Sequence, residues 1–206
     1  METITLAPNS TQLLTVNRLG YGAMRLTGPG NWGEPADRPQ ALAILKAAVA
    51  GGVNFIDTAD FYGLDVTNRL IAEALYPYPE NLVICTKVGG TRLPDKSMKL
   101  FAPSTELRTS IENNLRTLRQ KQIQLVHFRA MAGQAEVPFA ESIGALYDLQ
   151  RGGKIQHVGV SNVNIDELTQ ALAMGEVASV ESASSTVLPL FRISHWSMGW
   201  LTPTIS

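Results

Sequence analysis

Val53-Asn54-Phe55-Ile56-Asp57 is a short apolar run closed by a carboxylate, and the same construction returns twice. Leu82-Val83-Ile84-Cys85-Thr86 ends on Lys87, and Ile123-Gln124-Leu125-Val126 ends on His127, while Tyr62 follows Asp57 in the same loop. Apolar runs of this length, set between helical patterns, read as strands buried in a parallel sheet. An ionisable side chain closing successive strands is what a reaction centre at the top of a parallel α/β barrel is built from. Taken singly, an Asp or Lys at a strand end is ordinarily a solvated loop residue. A His or Tyr after an apolar run is ordinarily core. Four such residues at three strand ends point to a site.

The surrounding chain alternates in the same way. Thr3–Leu6 and Leu13–Val16, across Pro8-Asn9-Ser10, read as a hairpin, and 19–24 as a first core strand. Asp37 caps a helix whose apolar face carries Leu42, Leu45 and Val49 and which stops at Gly51-Gly52. Helices follow through Leu70, Ile71, Ala74 and Leu75, and from a cap at Ser104 through Leu107, Ile111, Leu115 and Leu118. A long loop joins strand 82–86 to the second of these. A further helix spans 139–151, and another is capped by Asn164 with Glu167. Strand starts fall at 19–24, 53–56, 82–86, 123–127, 155–159 and 178–180, which predicts βαβ crossovers and a parallel sheet. A closed (β/α)8 barrel has eight such units over about 250 residues. The expected fold class is therefore α/β, a TIM-type barrel with about six units. It forms a single domain over 1–206, with 181–206 an atypical tail holding Pro189, Phe191, His195, Trp196, Trp200 and Pro203.

Composition narrows the function. The chain has 206 residues, 45% apolar and 17% charged, with a net charge of −1, which excludes a disordered segment and gives no pull toward nucleic acid or anionic membrane. No apolar stretch reaches membrane-spanning length and no signal pattern opens the chain, so a cytoplasmic protein is expected. The one cysteine, Cys85, sits in an apolar run and reads as core, in keeping with a reducing compartment. The three histidines, His127, His157 and His195, lack ligand spacing and give no metal argument.

A tyrosine hydroxyl titrates near 10 and becomes a proton donor when a cation stabilises its phenolate. Lys87 can be that cation, Asp57 can hold and aim it, and His127 can orient a substrate oxygen. This is a carbonyl-polarising set. No side chain here delivers hydride, so a nicotinamide cofactor is implied. Gly22-Ala23-Met24, and Ser161-Asn162 after Val160, are the pieces that can hold one.

These segments resemble the aldo-keto reductases. The likeness is carried by Arg18-Leu19-Gly20-Tyr21-Gly22-Ala23-Met24, by 54–63 around Asp57-Thr58-Ala59 and Tyr62-Gly63, by Cys85-Thr86-Lys87-Val88-Gly89, and by Gly153–Asn162, and it covers about 15–180. The resemblance implies NADP(H)-dependent reduction of an aldehyde or ketone in a barrel. Asp57, Tyr62, Lys87 and His127 would be its tetrad, Ser161 and Asn162 would meet the nicotinamide amide, and a small carbonyl compound would be the substrate. The family's Gln-Asn pair after the sixth strand reads Glu181-Ser182 here, and the segments for the seventh and eighth units are not recognisable. A changed reading frame, an altered end or a different splice is the expected cause. The coding nucleotides test this: an intact barrel sequence in another frame supports it, and none sinks it.

Two other functions compete. The first is an inactive, truncated barrel that binds a partner, or its own copy, through an open sheet edge. The second makes Lys87 a Schiff-base nucleophile, which Asp57 opposes by keeping it charged.

Overall fold

The computed structural model describes residues 2–100, 103–130 and 137–181. The tail beyond 181, with its aromatic residues and His195, lies outside the described residues.

An antiparallel hairpin of β1 (Thr3–Leu6) and β2 (Leu14–Asn17) comes first. Six parallel strands follow: β3 (Tyr21–Gly22), β4 (Phe55–Asp57), β5 (Val83–Val88), β8 (Ile123–Arg129), β9 (Ile155–Ser161) and β10 (Val180–Glu181). They pair in chain order, with β3 and β10 at the two edges. Helices α1 (Arg38–Ala50), α2 (Val66–Leu75), α3 (Ser104–Thr117), α4 (Phe139–Arg151) and α5 (Ile165–Met174) fill the connections. The architecture is an incomplete (β/α) barrel, with each of the six expected strands present. Among the described residues no helix is long and apolar enough to cross a membrane.

The strand period of two sorts the side chains. Ile56, Ile84, Val126, Phe128, Val158 and Val160 pack under the helices. Phe55, Val83, Cys85 and Leu125 face the other way, onto Leu6, Leu14 and Val16 of the hairpin, which plugs the start of the sheet. The plug places Asp57, Lys87 and His127 on that same inner face, further along their strands.

Three expectations shift. Lys87 and His127 lie inside β5 and β8 as a paired ladder position, with each strand running on past them rather than ending there. The ladder continues because their polar heads find partners on the inner face. The expected long loop after β5 contains a second antiparallel hairpin, β6 (Gly90–Arg92) and β7 (Met98–Leu100), closed by an Asp95 carboxylate accepting from Ser97 N at 2.9 Å. Ser104 is the first residue of α3 rather than its cap. Pro103 takes the capping position, and no side chain bonds there. The Asp37 and Asn164 caps form as expected, accepting from Gln40 N and Glu167 N.

Candidate active site

Lys87 is the centre of the inner face and only 3% exposed. Its ammonium donates to Asp57 Oδ1, approaches Thr58 O at 3.5 Å, and lies 5.4 Å from the centroid of the Tyr62 ring. Tyr62 is buried and held edge-on by Phe61 at 5.2 Å between centroids. On the neighbouring strand His127 Nε2 stands 2.7 Å from Ser179 Oγ, and Nδ1 stands 3.4 Å from Cys85 Sγ. The ring needs room. A Cβ on Gly159, its partner on β9, would lie 2.3 Å from an imidazole carbon. All four expected site residues thus come together.

A fifth group joins them that the sequence reading left in the tail. Glu181 Oε2 lies 3.3 Å from Lys87 Nζ and 3.2 Å from His127 Nδ1. Its signal was legible: Ala178-Ser179-Val180 is one more short strand-like run, closed by one more ionisable residue. That is the pattern that marked the other three.

Burial sets the electrostatics. Desolvation works against the Lys87 ammonium, yet Asp57 and Glu181 hold it above the ordinary lysine range. An amine held this way is a poor Schiff-base nucleophile. Burial pushes Asp57 up to about 6 against the pull of Lys87. Burial also works against the Glu181 carboxylate, but its bonds to His127 and Lys87 bring it down to about 2. Tyr62 is pushed up to about 12 by desolvation, with Lys87 pulling the other way and the two carboxylates adding to the rise. The lowering expected from Lys87 therefore exists but is outweighed. Burial pushes the Cys85 thiol up as well.

The expected cofactor residues divide. Gly22 pairs with Asp57 at the end of β3, and Met24 packs against Ala59, Phe61 and Tyr62. Ala23 turns into the core between α1 and α2 with no exposed surface, main chain included. Ser161, at the end of β9, donates to Asn162 Oδ1 at 3.1 Å, and Asn162 is held at φ 58 with its N–H on Glu181 O. A hydroxyl beside a carboxamide suits the carboxamide of a nicotinamide ring, which both donates and accepts. The donor set fits that group.

Another buried carboxylate went unread. Asp60 accepts from Ser110 Oγ and, at 3.2 Å, from Asn114 Nδ2, and burial pushes it up to about 7.

Comparison with known proteins gives the family. The sequence profile described as the aldo/keto reductase family matches residues 18–187. Pyridoxine 4-dehydrogenase of Escherichia coli is 43% identical over 186 residues, covering 88% of this chain and 63% of that protein. An uncharacterized oxidoreductase of Schizosaccharomyces pombe is 38% identical, covering 84% and 56%. The glycerol dehydrogenase structure from Gluconobacter oxydans superposes with a TM-score of 0.74 at 26% identity, covering 86% of this chain and 54% of that one. The chain thus spans roughly half to two thirds of the length of these relatives.

Proposed function

The chain belongs to the aldo/keto reductase family, and from that premise we propose that its site reduces an aldehyde or ketone to an alcohol with NADPH. One observation carries the reading: the Lys87–Asp57 ion pair stands beside the Tyr62 ring with His127 on the adjacent strand.

NADPH, when bound, would supply the hydride that the carbonyl carbon takes. Tyr62 gives its hydroxyl proton to the carbonyl oxygen, and the Lys87 ammonium stabilises the phenolate left behind. Asp57 keeps that ammonium charged and aimed. His127 orients the carbonyl oxygen by a hydrogen bond. Burial keeps the phenol protonated at neutral pH, so it is ready as an acid, and the reverse oxidation gains as pH rises. Ser161 and Asn162 would hold the nicotinamide carboxamide, and Gly22 would offer main chain on the far side of Asp57. The relative named pyridoxine 4-dehydrogenase makes a pyridoxal-type aldehyde the first substrate to try.

The test is NADPH titration of the purified chain, read by quenching of tryptophan fluorescence. Micromolar binding that Tyr62→Phe preserves, with aldehyde reduction that Tyr62→Phe loses, supports the reading. A folded sample that ignores millimolar NADPH overturns it, and the binding-module alternative then stands.

A further inference from the structure

His157 is a buried titratable group that the proposed reaction leaves unused. It stands on β9 opposite Leu125, on the inner face, and is 2% exposed. Among the described residues its Nε2 has no hydrogen-bond partner, and the atom is shut off from solvent. The ring meets two polar neighbours from outside its strand. One is the main chain of Gln12, in the turn of the β1–β2 hairpin, and the other is the Glu176 carboxylate, between α5 and β10. Burial holds the ring below the ordinary histidine range, although both neighbours pull it the other way.

These contacts lie along a seam. Asn9 N donates to Glu176 Oε1 at 3.2 Å and Ala7 N donates to Ala178 O at 3.4 Å, which fastens the hairpin turn to the segment before β10. Leu6, Leu14 and Val16 pack on Phe55, Val83, Cys85 and Leu125. Phe55, Cys85 and Leu125 stand two positions before Asp57, Lys87 and His127. The hairpin thus supports the layer directly beneath the candidate active site. A neutral imidazole suits the seam, because one of its nitrogens carries no hydrogen. An imidazolium does not: its second N–H enters a space without an acceptor. With the turn lifted, the ring meets water and titrates near 6.5.

We propose that the β1–β2 hairpin is a proton-released latch: a proton taken up by His157 lifts the hairpin turn from β9 and loosens the floor of the inner face. The open form holds that proton more tightly than the closed form. Acid therefore favours opening by up to about tenfold per pH unit below about 6.5, and above that value this ring adds no pH dependence. Glu176 opposes the release, since its carboxylate faces the imidazolium. Glu2 and Arg18, at the open end of the hairpin, pair with each other at 3.0 Å. Asp60, raised to about 7, works in the opposite sense, because its burial penalty eases as it protonates. The latch does not depend on the proposed reaction.

The test is hydrogen–deuterium exchange of the full chain between about pH 7.5 and 5, read by mass spectrometry and corrected for the intrinsic pH dependence of exchange. Protection of the hairpin amides, 3–17, is expected to fall below about pH 6.5 by up to about tenfold per unit, while protection of β5 and β8 holds. In His157→Gln, neutral throughout, hairpin protection is expected to stay flat. Should that variant fail to fold, His157→Leu carries the same comparison. A folded wild type with flat hairpin protection overturns the proposal. So does an equal fall in the variant, or an equal fall in β5 and β8, which would be general unfolding.

Discussion

The two faces of β4 and β5 are both polar where they are most buried, but in opposite styles. On the inner face Asp57, Lys87, His127 and Glu181 are charged or chargeable and crowded. One residue along, on the outer face, Thr58 and Thr86 enter a network of hydroxyls and amides. Thr58 bonds Thr67 at 2.8 Å and Asn68 at 2.9 Å, Asn68 bonds Asn114 at 2.9 Å, and Thr86 bonds Asn114 at 2.7 Å. The network ties β4 and β5 to α2 and α3, and Asn114 carries it on to a single carboxylate, Asp60, which Ser110 also bonds. The inner face cannot be satisfied in that way, since one ammonium is shared by two carboxylates. A saturated polar network stabilises; an under-neutralised one holds charge ready for a substrate.

Substitutions can break that contrast. Lys87→Met leaves Asp57 and Glu181 buried without their cation and should cost about 3–5 kcal/mol in urea unfolding. Asn114→Ala strands Asn68 and Thr86 and takes one of two donors from Asp60, which keeps Ser110, and should cost about 2–3 kcal/mol. If the second costs as much as the first, the distinction between the faces fails.

Acid sharpens the comparison. Glu181 sits near 2, below its ordinary range, so its contribution is present above about 4.5 and lost as pH falls from there toward 2. Asp60 is raised to about 7, so its penalty grows as pH rises from about 4 through 7. Asp60→Asn, which keeps an acceptor for Ser110, should stabilise the chain by about 1–2 kcal/mol at pH 8 and by little at pH 4. A gain equal at both pH values would contradict the assignment.

The smallest effects separate the caps. Asn164→Ala should cost about 1 kcal/mol, because it removes a formed capping box, whereas Ser104→Ala should cost under about 0.5 kcal/mol.

Those caps show where the sequence was readable. Asn164 with Glu167 and Asp37 with Gln40 are local patterns and appear as expected. Ser104 carries the same chemistry, but Pro103 had already taken the position. The strand order and the inner-face site were legible because apolar runs closed by ionisable residues survive folding as paired parallel strands. Glu181 carried that signal and was missed, because the resemblance read from the sequence stopped at about 180, although the family profile runs on to 187. The approach of Cys85 Sγ to His127 Nδ1 was not legible, because Cys85 read as core and only the pairing of β5 with β8 brings the two side chains together. Nor was the hairpin of β6 and β7, where a single Asp95-Ser97 turn closes strands of three residues each.

The central claim is that the inner face is a reduction site with Tyr62 as its acid. It is tested most directly by the rate of NADPH-dependent reduction of a pyridoxal-type aldehyde in the wild type and in Tyr62→Phe, at matched unfolding midpoints. The account predicts a loss of about 10²–10⁴-fold with NADPH affinity unchanged. Equal rates in the two proteins would contradict it.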